Sequence, residues 1–354
     1  MEPGSQMVEV FIVTYRRHEM LRRAIASVLR QTHTSVLVRI LNDDPNDREV
    51  DSIVESFEDE RLSVALPTLK RGATGNFNFA FAQAKAGYVS ILEDDNWWEP
   101  TFLEEMFASL NGHPDIDVIV GNELIWKEMA DGRWEDTAKT IWPFRNLRKY
   151  VFSLEAICGS AMICNSSMLI RVNSSKPMQT PNDIPVDVTE HFRERLFQHT
   201  ILQLGKPLVN YAETINTARS VKGNIWGIYQ ILLIASVFIA LKMSDDRLNL
   251  ADSLWETCPL ATSPRAVTLA ATGIACREAR SLFFKAPLKT KFRVALWIAR
   301  SPRRLLDIVA GLTKYDQHLH FLVDAPLTQF LANKQICAAQ GVMAKSTRAL
   351  EIPR

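Results

Sequence analysis

Residues 8–32 read VEVFIVTYRRHEMLRRAIASVLRQT. The first seven, Val8–Thr14, are an unbroken apolar run rich in β-branched side chains, which predicts a strand buried on both faces. From Glu19 the period changes: Leu21, Ala24, Ile25, Val28 and Leu29 recur at helical spacing, with arginines on the opposite face. A buried strand feeding an amphipathic helix is the first half of a βαβ unit, and the next hundred residues repeat it. Further strands are expected at Val36–Leu41, Leu62–Leu66 (stopped by Pro67), Tyr88–Leu92 and Ile116–Val120. Helices are expected at Arg48–Phe57, Asn76–Ala86 and Thr101–Leu110, the last with Pro100 beside its start. Strands separated by helices of about ten residues predict an α/β, Rossmann-like fold: a mainly parallel sheet flanked by helices. Such sheets bind ligands beyond the carboxyl ends of their strands.

After about residue 220 the strand signals fade. Helices are expected at Ile225–Met243, Ala266–Phe284, Lys291–Ala299, Arg304–Leu312 and after Pro326. The chain therefore divides into 1–220 and a mostly helical 221–354. Its 354 residues, 47% apolar and 23% charged, fit about two globular domains and exclude a disordered chain or a multi-span membrane protein. Lys+Arg 41 against Asp+Glu 40 leaves a net charge of +1, so global charge gives no reason to expect nucleic acid. Five cysteines, Cys158, Cys164, Cys258, Cys276 and Cys337, make an odd set without C-x-x-C spacing. That argues against a structural zinc or a disulfide framework and for a reducing, cytoplasmic compartment. The opening MEPGSQMVEV does not have the pattern of a signal peptide.

Two of the expected strands end in acid. One runs into Asn42-Asp43-Asp44-Pro45-Asn46-Asp47, the other into Glu93-Asp94-Asp95-Asn96. Turn formation explains the first cluster equally well. It explains the second poorly, because three adjacent carboxylates repel one another unless a cation or hydrogen-bond donors compensate. Two aromatics, Trp97 and Trp98, follow at once. Hard oxygen ligands suit Mg²⁺ or Mn²⁺, which take their remaining ligands from phosphates and water. The chemistry indicated is metal-assisted departure of a phosphate-bearing group. Neither a P-loop nor G-x-G-x-x-G occurs in the first third, which argues against a P-loop NTPase and a dinucleotide oxidoreductase.

Together these stretches resemble the family 2 glycosyltransferases of GT-A fold. That family opens with a strand ending in Thr-Tyr and a helix ending in Gln-Thr, as residues 8–32 do. LNDDPND is similar to its second-strand aspartate motif. Gly72–Glu99 is similar to the segment leading into its metal-binding D-x-D region, here LEDDNWWEP. The resemblance is good over residues 8–125 and weaker to 220. It implies that Thr14 and Tyr15 hold the nucleotide base and ribose, and that Asp44, with Asp43 beside it, contacts base or ribose. It further implies Asp94 on the ribose and Asp95 on a metal bridging the diphosphate, with Glu93 sharing either role. Arg16 stands where the family often has Asn, and Phe77-Asn78 where it often has Arg-Asn; Arg71 or Lys70 then supplies the charge near the phosphates. The activity implied is inverting, metal-dependent transfer of a sugar from a nucleoside diphosphate donor to a hydroxyl of a glycan or lipid-linked acceptor, as in polysaccharide biosynthesis. Two alternatives remain. A sugar-1-phosphate nucleotidyltransferase usually needs a Gly-rich loop after the first strand, and TYRRHEM has no glycine. A non-catalytic binding module is the other.

Inverting transfer needs a carboxylate to take the acceptor's proton. The family carries it near the start of a helix, about a hundred positions after the metal site. The matching segment here is DVTEHFRERLFQHTILQLGKPLVNYAETINTAR, residues 187–219. Its candidates are Glu190 and Glu194, four apart on one helical face, and then Asp187. A solvated face paired with Arg193 and Arg195 explains any one of them as well. His191 and His199 read as structural. Gly159-Ser160, ahead of an expected apolar strand in CGSAMIC, resembles an acceptor-side loop. Farther on, IWGIYQILLIASVFIAL carries no charge and reads first as a buried core helix, with interfacial and transmembrane placements as alternatives. Between Arg277 and Arg304, nine basic residues and the single acid Glu278 interleave with apolar ones. That pattern suits either a solvated helix face or peripheral contact with anionic lipid on the inner membrane face.

Overall fold

A computed structural model of the chain describes residues 6–65, 70–159, 161–172, 178–197, 200–215, 223–258, 260–300, 303, 312–325 and 350–351. Strand β1 (Val8–Thr14) is buried along its whole length. Val8, Val10 and Ile12 point into one core, and Phe11 and Val13 into another on the opposite face of the sheet. That is the reason its sequence is apolar without alternation. Helix α1 (His18–Leu29) buries Leu21, Ala24, Ile25 and Val28 on the first core. Strand β2 (Val36–Asn42), helix α2 (Glu49–Glu55), β3 (Leu62–Val64), α3 (Gly72–Gln83) and β4 (Tyr88–Glu93) follow as expected, with shifted ends. β1 pairs in parallel with β2 and β4, and β2 with β3, so their carboxyl ends share one edge.

The second half of the sheet is mixed. A two-residue strand β5 (Trp97–Trp98) precedes helix α4 (Phe102–Asn111) and the long strand β6 (Val118–Glu128). Next come β7 (Trp134–Thr140), β8 (Leu147–Val151), a short helix α5 (Leu154–Ile157), β9 (Met168–Arg171), helix α6 (Thr189–Arg193) and β10 (Thr200–Glu213). Antiparallel β9 joins β4 to β6, while β6 and β10 run parallel. A terminal pair, β11 (Leu350–Glu351), lies on β8. The strand expected within CGSAMIC forms instead at Met168–Arg171; residues 161–164 make a loop tied to α6. The 14-residue β10 was not expected at all. Gly205 and Pro207 interrupt its pattern, and its register on β6 shifts around Pro207, which has no N–H for a ladder.

Beyond residue 223 the described residues are almost wholly helical: α7 (Gly223–Ala240), α8 (Ser244–Glu256), α9 (Pro264–Ala275), α10 (Arg280–Phe284), α11 (Leu288–Arg300) and α12 (Asp316–Asp324). The single helix expected over Ala266–Phe284 is broken by extended backbone at Cys276. Helix α7 is apolar all round because it is enclosed. Ile234, Val237 and Phe238 pack with Leu250 and Leu254 of α8 and Leu269 of α9, and Tyr229 and Leu232 pack with Leu322 of α12. The buried-helix reading of that segment therefore holds. Among the described residues no helix is long and apolar enough to cross a membrane. The helices expected at Arg304–Leu312 and after Pro326 lie outside the described residues apart from Leu312, as do Pro67, Ser160 and His199.

Candidate functional site

The end of β1 gathers both acidic clusters. The Thr14 carbonyl accepts the Asp43 amide at 3.0 Å, and the Val13 carbonyl accepts the Asp94 amide at 3.1 Å. Thr14 Oγ1 donates to Asp94 Oδ2 at 2.8 Å. Just beyond, Arg16 adopts a left-handed backbone, φ 56°, which is strained for a side chain of its size. Consecutive arginines then serve different acids: Arg16 Nε donates to Asp44 Oδ2 at 2.5 Å, and Arg17 Nη1 donates to Asp94 Oδ1 at 3.1 Å and Asp95 Oδ2 at 2.7 Å. The carboxylates of two separate strands thus converge on one four-residue segment.

The electrostatics show how crowded this edge is. Burial, reinforced by repulsion from Asp95, pushes Asp94 up to about 6 against the pull of Arg17 and Thr14. Burial also raises Asp95, and raises Glu93 well above the usual carboxylate range, with Asp95 and Glu190 adding to it. Asp44 goes the other way, held low by hydrogen bonds from Arg16 and the Asn46 amide.

The remaining expected residues separate into two groups. Lys70 Nζ lies 4.1 Å from the centroid of the Tyr15 ring, which is 42% exposed. Arg71 instead turns its guanidinium onto Phe79, 4.0 Å away, so of these two cations Lys70 is the one beside Tyr15, where the Arg16 guanidinium also lies 5.3 Å from the ring centroid. Asp43 Oδ1 accepts from the amides of Arg71 (2.9 Å) and Gly72 (2.8 Å) and from Asn76 Nδ2 (3.0 Å), anchoring the start of α3. Asn78 Nδ2 donates to Thr180 O and Asn182 Oδ1, and its Oδ1 accepts the Thr180 amide. Its amide therefore pins residues 180–182 to α3. Asn78→Ala leaves buried Thr180 groups unpaired and is expected to cost about 2–4 kcal/mol in denaturant unfolding, with nucleotide affinity within a factor of about two. A selective loss of nucleotide binding at unchanged stability would contradict that assignment.

Three residues of α6 and its 3₁₀ extension bond to the backbone of the 161–165 loop. Glu190 Oε1 accepts the Asn165 amide at 2.8 Å, His191 Nε2 accepts the Ala161 amide at 2.9 Å, and Glu194 accepts the Met162 amide. Only Glu190 also joins the acids of the donor edge, being among the charges that raise Glu93. Burial pushes Glu190 up to about 7 and Glu194 to about 8, while it depresses His191 to about 4. The fully buried Arg193 is the counter-cation. Its Nη1 donates to Asn165 Oδ1 at 2.5 Å, and Glu190 and Glu93 both favour its charge. Asp187 is exposed, in the 3₁₀ turn before α6.

Three residues were missed by sequence. Arg17 stands in TYRR, directly after Thr14-Tyr15, and was given no role. Arg23 donates to the Asp95 carbonyl at 2.7 Å and lies over Trp97 (3.8 Å) and Trp134 (4.5 Å). Glu123, buried in β6 and pushed up to about 7, adds a third carboxyl to Glu93 and Glu190. Its signal was a polar pair, Asn122-Glu123, inside an apolar strand that had been ended at Val120.

The family model for glycosyl transferase family 2 matches residues 9–172, which contain both acidic strand ends. Residues 9–172 are a family 2 glycosyltransferase domain. An uncharacterized glycosyltransferase of Methanocaldococcus jannaschii is 23% identical over 192 residues, covering 51% of this chain and 63% of that protein. The Escherichia coli UDP-Glc:alpha-D-GlcNAc-diphosphoundecaprenol beta-1,3-glucosyltransferase WfgD is 27% identical over 129 residues, covering 36% of this chain and 50% of WfgD. The matches thus span between half and two thirds of those relatives' lengths. The fold extends the likeness past the family 2 domain. Residues 1–349 of S. aureus TarS superpose with a TM-score of 0.52 at 13% identity, covering 96% of this chain and 93% of that one. The same TarS fragment in complex with UDP-GlcNAc gives 0.52 at 14%.

The site suits a divalent ion in a limited way. Among the described residues no group of three or more His, Cys, Asp or Glu side chains is arranged to hold a metal unaided. A hard cation in this fold type needs only one or two carboxylates, since phosphates and water complete its shell. Asp95, with 16% of its side chain exposed against 6% for Asp94, is the acid open to such an ion. Glu93 accepts a hydrogen bond from the Ser166 hydroxyl at 3.1 Å, and the charges of Asp95 and Glu190 both bear on it.

Proposed function

We propose that this protein is an inverting, metal-dependent glycosyltransferase that moves a sugar from a nucleoside diphosphate donor to a hydroxyl of a glycan or lipid-linked acceptor. The observation that carries the reading is the convergence of Asp44, Asp94 and Asp95 on Thr14–Arg17 at the carboxyl edge of parallel strands. The names of the relatives support a nucleotide-sugar donor and a lipid-linked acceptor. We assign donor binding and catalysis to residues 1–220; of residues 221–354, helices α7 and α12 back α6 through Tyr229, Leu232 and Leu322 on Phe192.

Thr14, Tyr15 and Asp44 hold the nucleoside, Lys70 lies above the Tyr15 ring, and Asp94 faces the ribose. Arg17 brings positive charge to the diphosphate. Mg²⁺ or Mn²⁺ on Asp95 would neutralise charge on the departing diphosphate. Glu190 is the base. It takes the hydroxyl proton as the acceptor oxygen bonds to the anomeric carbon; the bond from that carbon to the diphosphate oxygen breaks, and the electron pair leaves with the nucleoside diphosphate. A carboxylate pushed up to about 7 is matched to proton uptake near neutrality. Incubation with UDP-, GDP- and dTDP-sugars and Mn²⁺ is expected to release nucleoside diphosphate from one donor class. Pyrophosphate-dependent exchange would instead indicate a nucleotidyltransferase, and absence of nucleotide binding a binding module.

A further inference from the structure

Helix α11 has two apolar faces. Thr290 and Val294 are fully buried against the helical core, with Thr290 Oγ1 donating to Ala261 O at 2.6 Å. On the other side, Leu288 is 82% and Phe292 70% exposed, and Leu296 follows one turn later. At about 100° per residue these three fall in one arc of roughly 80°, and Ala295 and Ala299 lie in or beside it. Phe284, also 70% exposed, ends α10 just before it. Large apolar side chains in a row with that exposure are uncommon on a surface that meets only water.

The charges around the row identify the occupant. On the helical wheel Lys289, Arg293 and Arg300 border one side of the arc, all exposed, and Lys291 borders the other. Residues 279–306 include no acid. A second copy docking the same face would bring these cations against themselves, which disfavours a symmetric dimer here. A polar face, an apolar arc and bordering cations with long aliphatic stems are what an interfacial helix requires.

We propose that α11 and the end of α10 dock on a bilayer surface carrying anionic headgroups, with Phe284, Leu288, Phe292 and Leu296 entering the acyl boundary. The proposal does not depend on the transferase reading, because vesicle binding is read without turnover. In flotation, the full chain is expected to rise with vesicles of phosphatidylcholine plus phosphatidylglycerol and to stay behind with phosphatidylcholine alone, and added salt is expected to weaken the association. L288S/F292S is expected to lower affinity for the anionic vesicles by about 10- to 100-fold. K289E/R293E is expected to abolish the preference for them. Both are expected to melt with the wild type, since the altered side chains face solvent. Absence of vesicle binding, equal binding to neutral and anionic vesicles, or unchanged binding in L288S/F292S would overturn the proposal. So would a dimer in sedimentation that L288S/F292S dissolves, which would make the face an interface between copies.

Discussion

Glu190→Gln is expected to lower kcat by about 10²–10⁴-fold and to leave the fold intact. The amide keeps the size of the side chain and an oxygen for the Asn165 N–H. It cannot take a proton. In the wild type, burial holds the folded-state value at about 7, so activity is expected to rise as pH passes through neutrality and the carboxylate forms. Stability runs in the opposite direction. The folded value lies above the unfolded one, so the fold favours the protonated form. That contribution is complete below about 4.5 and is lost as pH climbs through about 7. Glu194, raised to about 8, acts in the same sense. The melting temperature is therefore expected to fall between pH 5 and 8, less steeply in Glu190→Gln, which stays neutral. Glu194→Gln serves as the contrast: the same relief of stability with kcat within about threefold, because Glu194 faces Met162 and Arg195. If instead Glu194→Gln abolished turnover and Glu190→Gln did not, the base would be the other member of the pair.

The parallel half of the sheet was legible because its residues act locally. A strand covered on both faces must be apolar throughout, and β1 is found to the residue. Where an element's ends or existence depend on distant partners, the sequence misleads. Helix α3 begins at Gly72, four residues before the expected start, with Gly-Ala-Thr-Gly, a poor opening by propensity. Its first amides are bonded by Asp43 from the end of β2, a tertiary anchor that no local window contains. Strand β10 is masked by Gly205 and Pro207, both accommodated only because the register on β6 shifts there. The acidic triplet was read correctly as needing compensation. The nearer compensation, Arg17, was overlooked because an arginine at a helix start looks like a solvated one. Asn78 is a motif position whose amide, in this chain, ties two segments together.

Arg17 also sharpens the test of metal dependence, because two different cations can serve one diphosphate. If Asp95 holds a divalent ion, Mn²⁺ and the matching nucleoside diphosphate are expected to raise the melting temperature only when both are present. Asp95→Ala is expected to remove that joint shift and to lower kcat by about 10³-fold or more. A chelator is expected to reproduce the loss in the wild type and to do nothing further in the variant. If Arg17 serves the phosphates alone, nucleotide shifts the wild type without metal. Asp95→Ala then binds nucleotide more tightly, because one of the two carboxylates holding the guanidinium is gone. The two accounts predict opposite signs for the same substitution. Burial raises Asp94, Asp95 and Glu93 together, and the charge of Asp95 adds to the rise of the other two, which favours the first: Arg17 must serve both the Asp94 and the Asp95 carboxylate, and Arg23 donates to the backbone of Asp95.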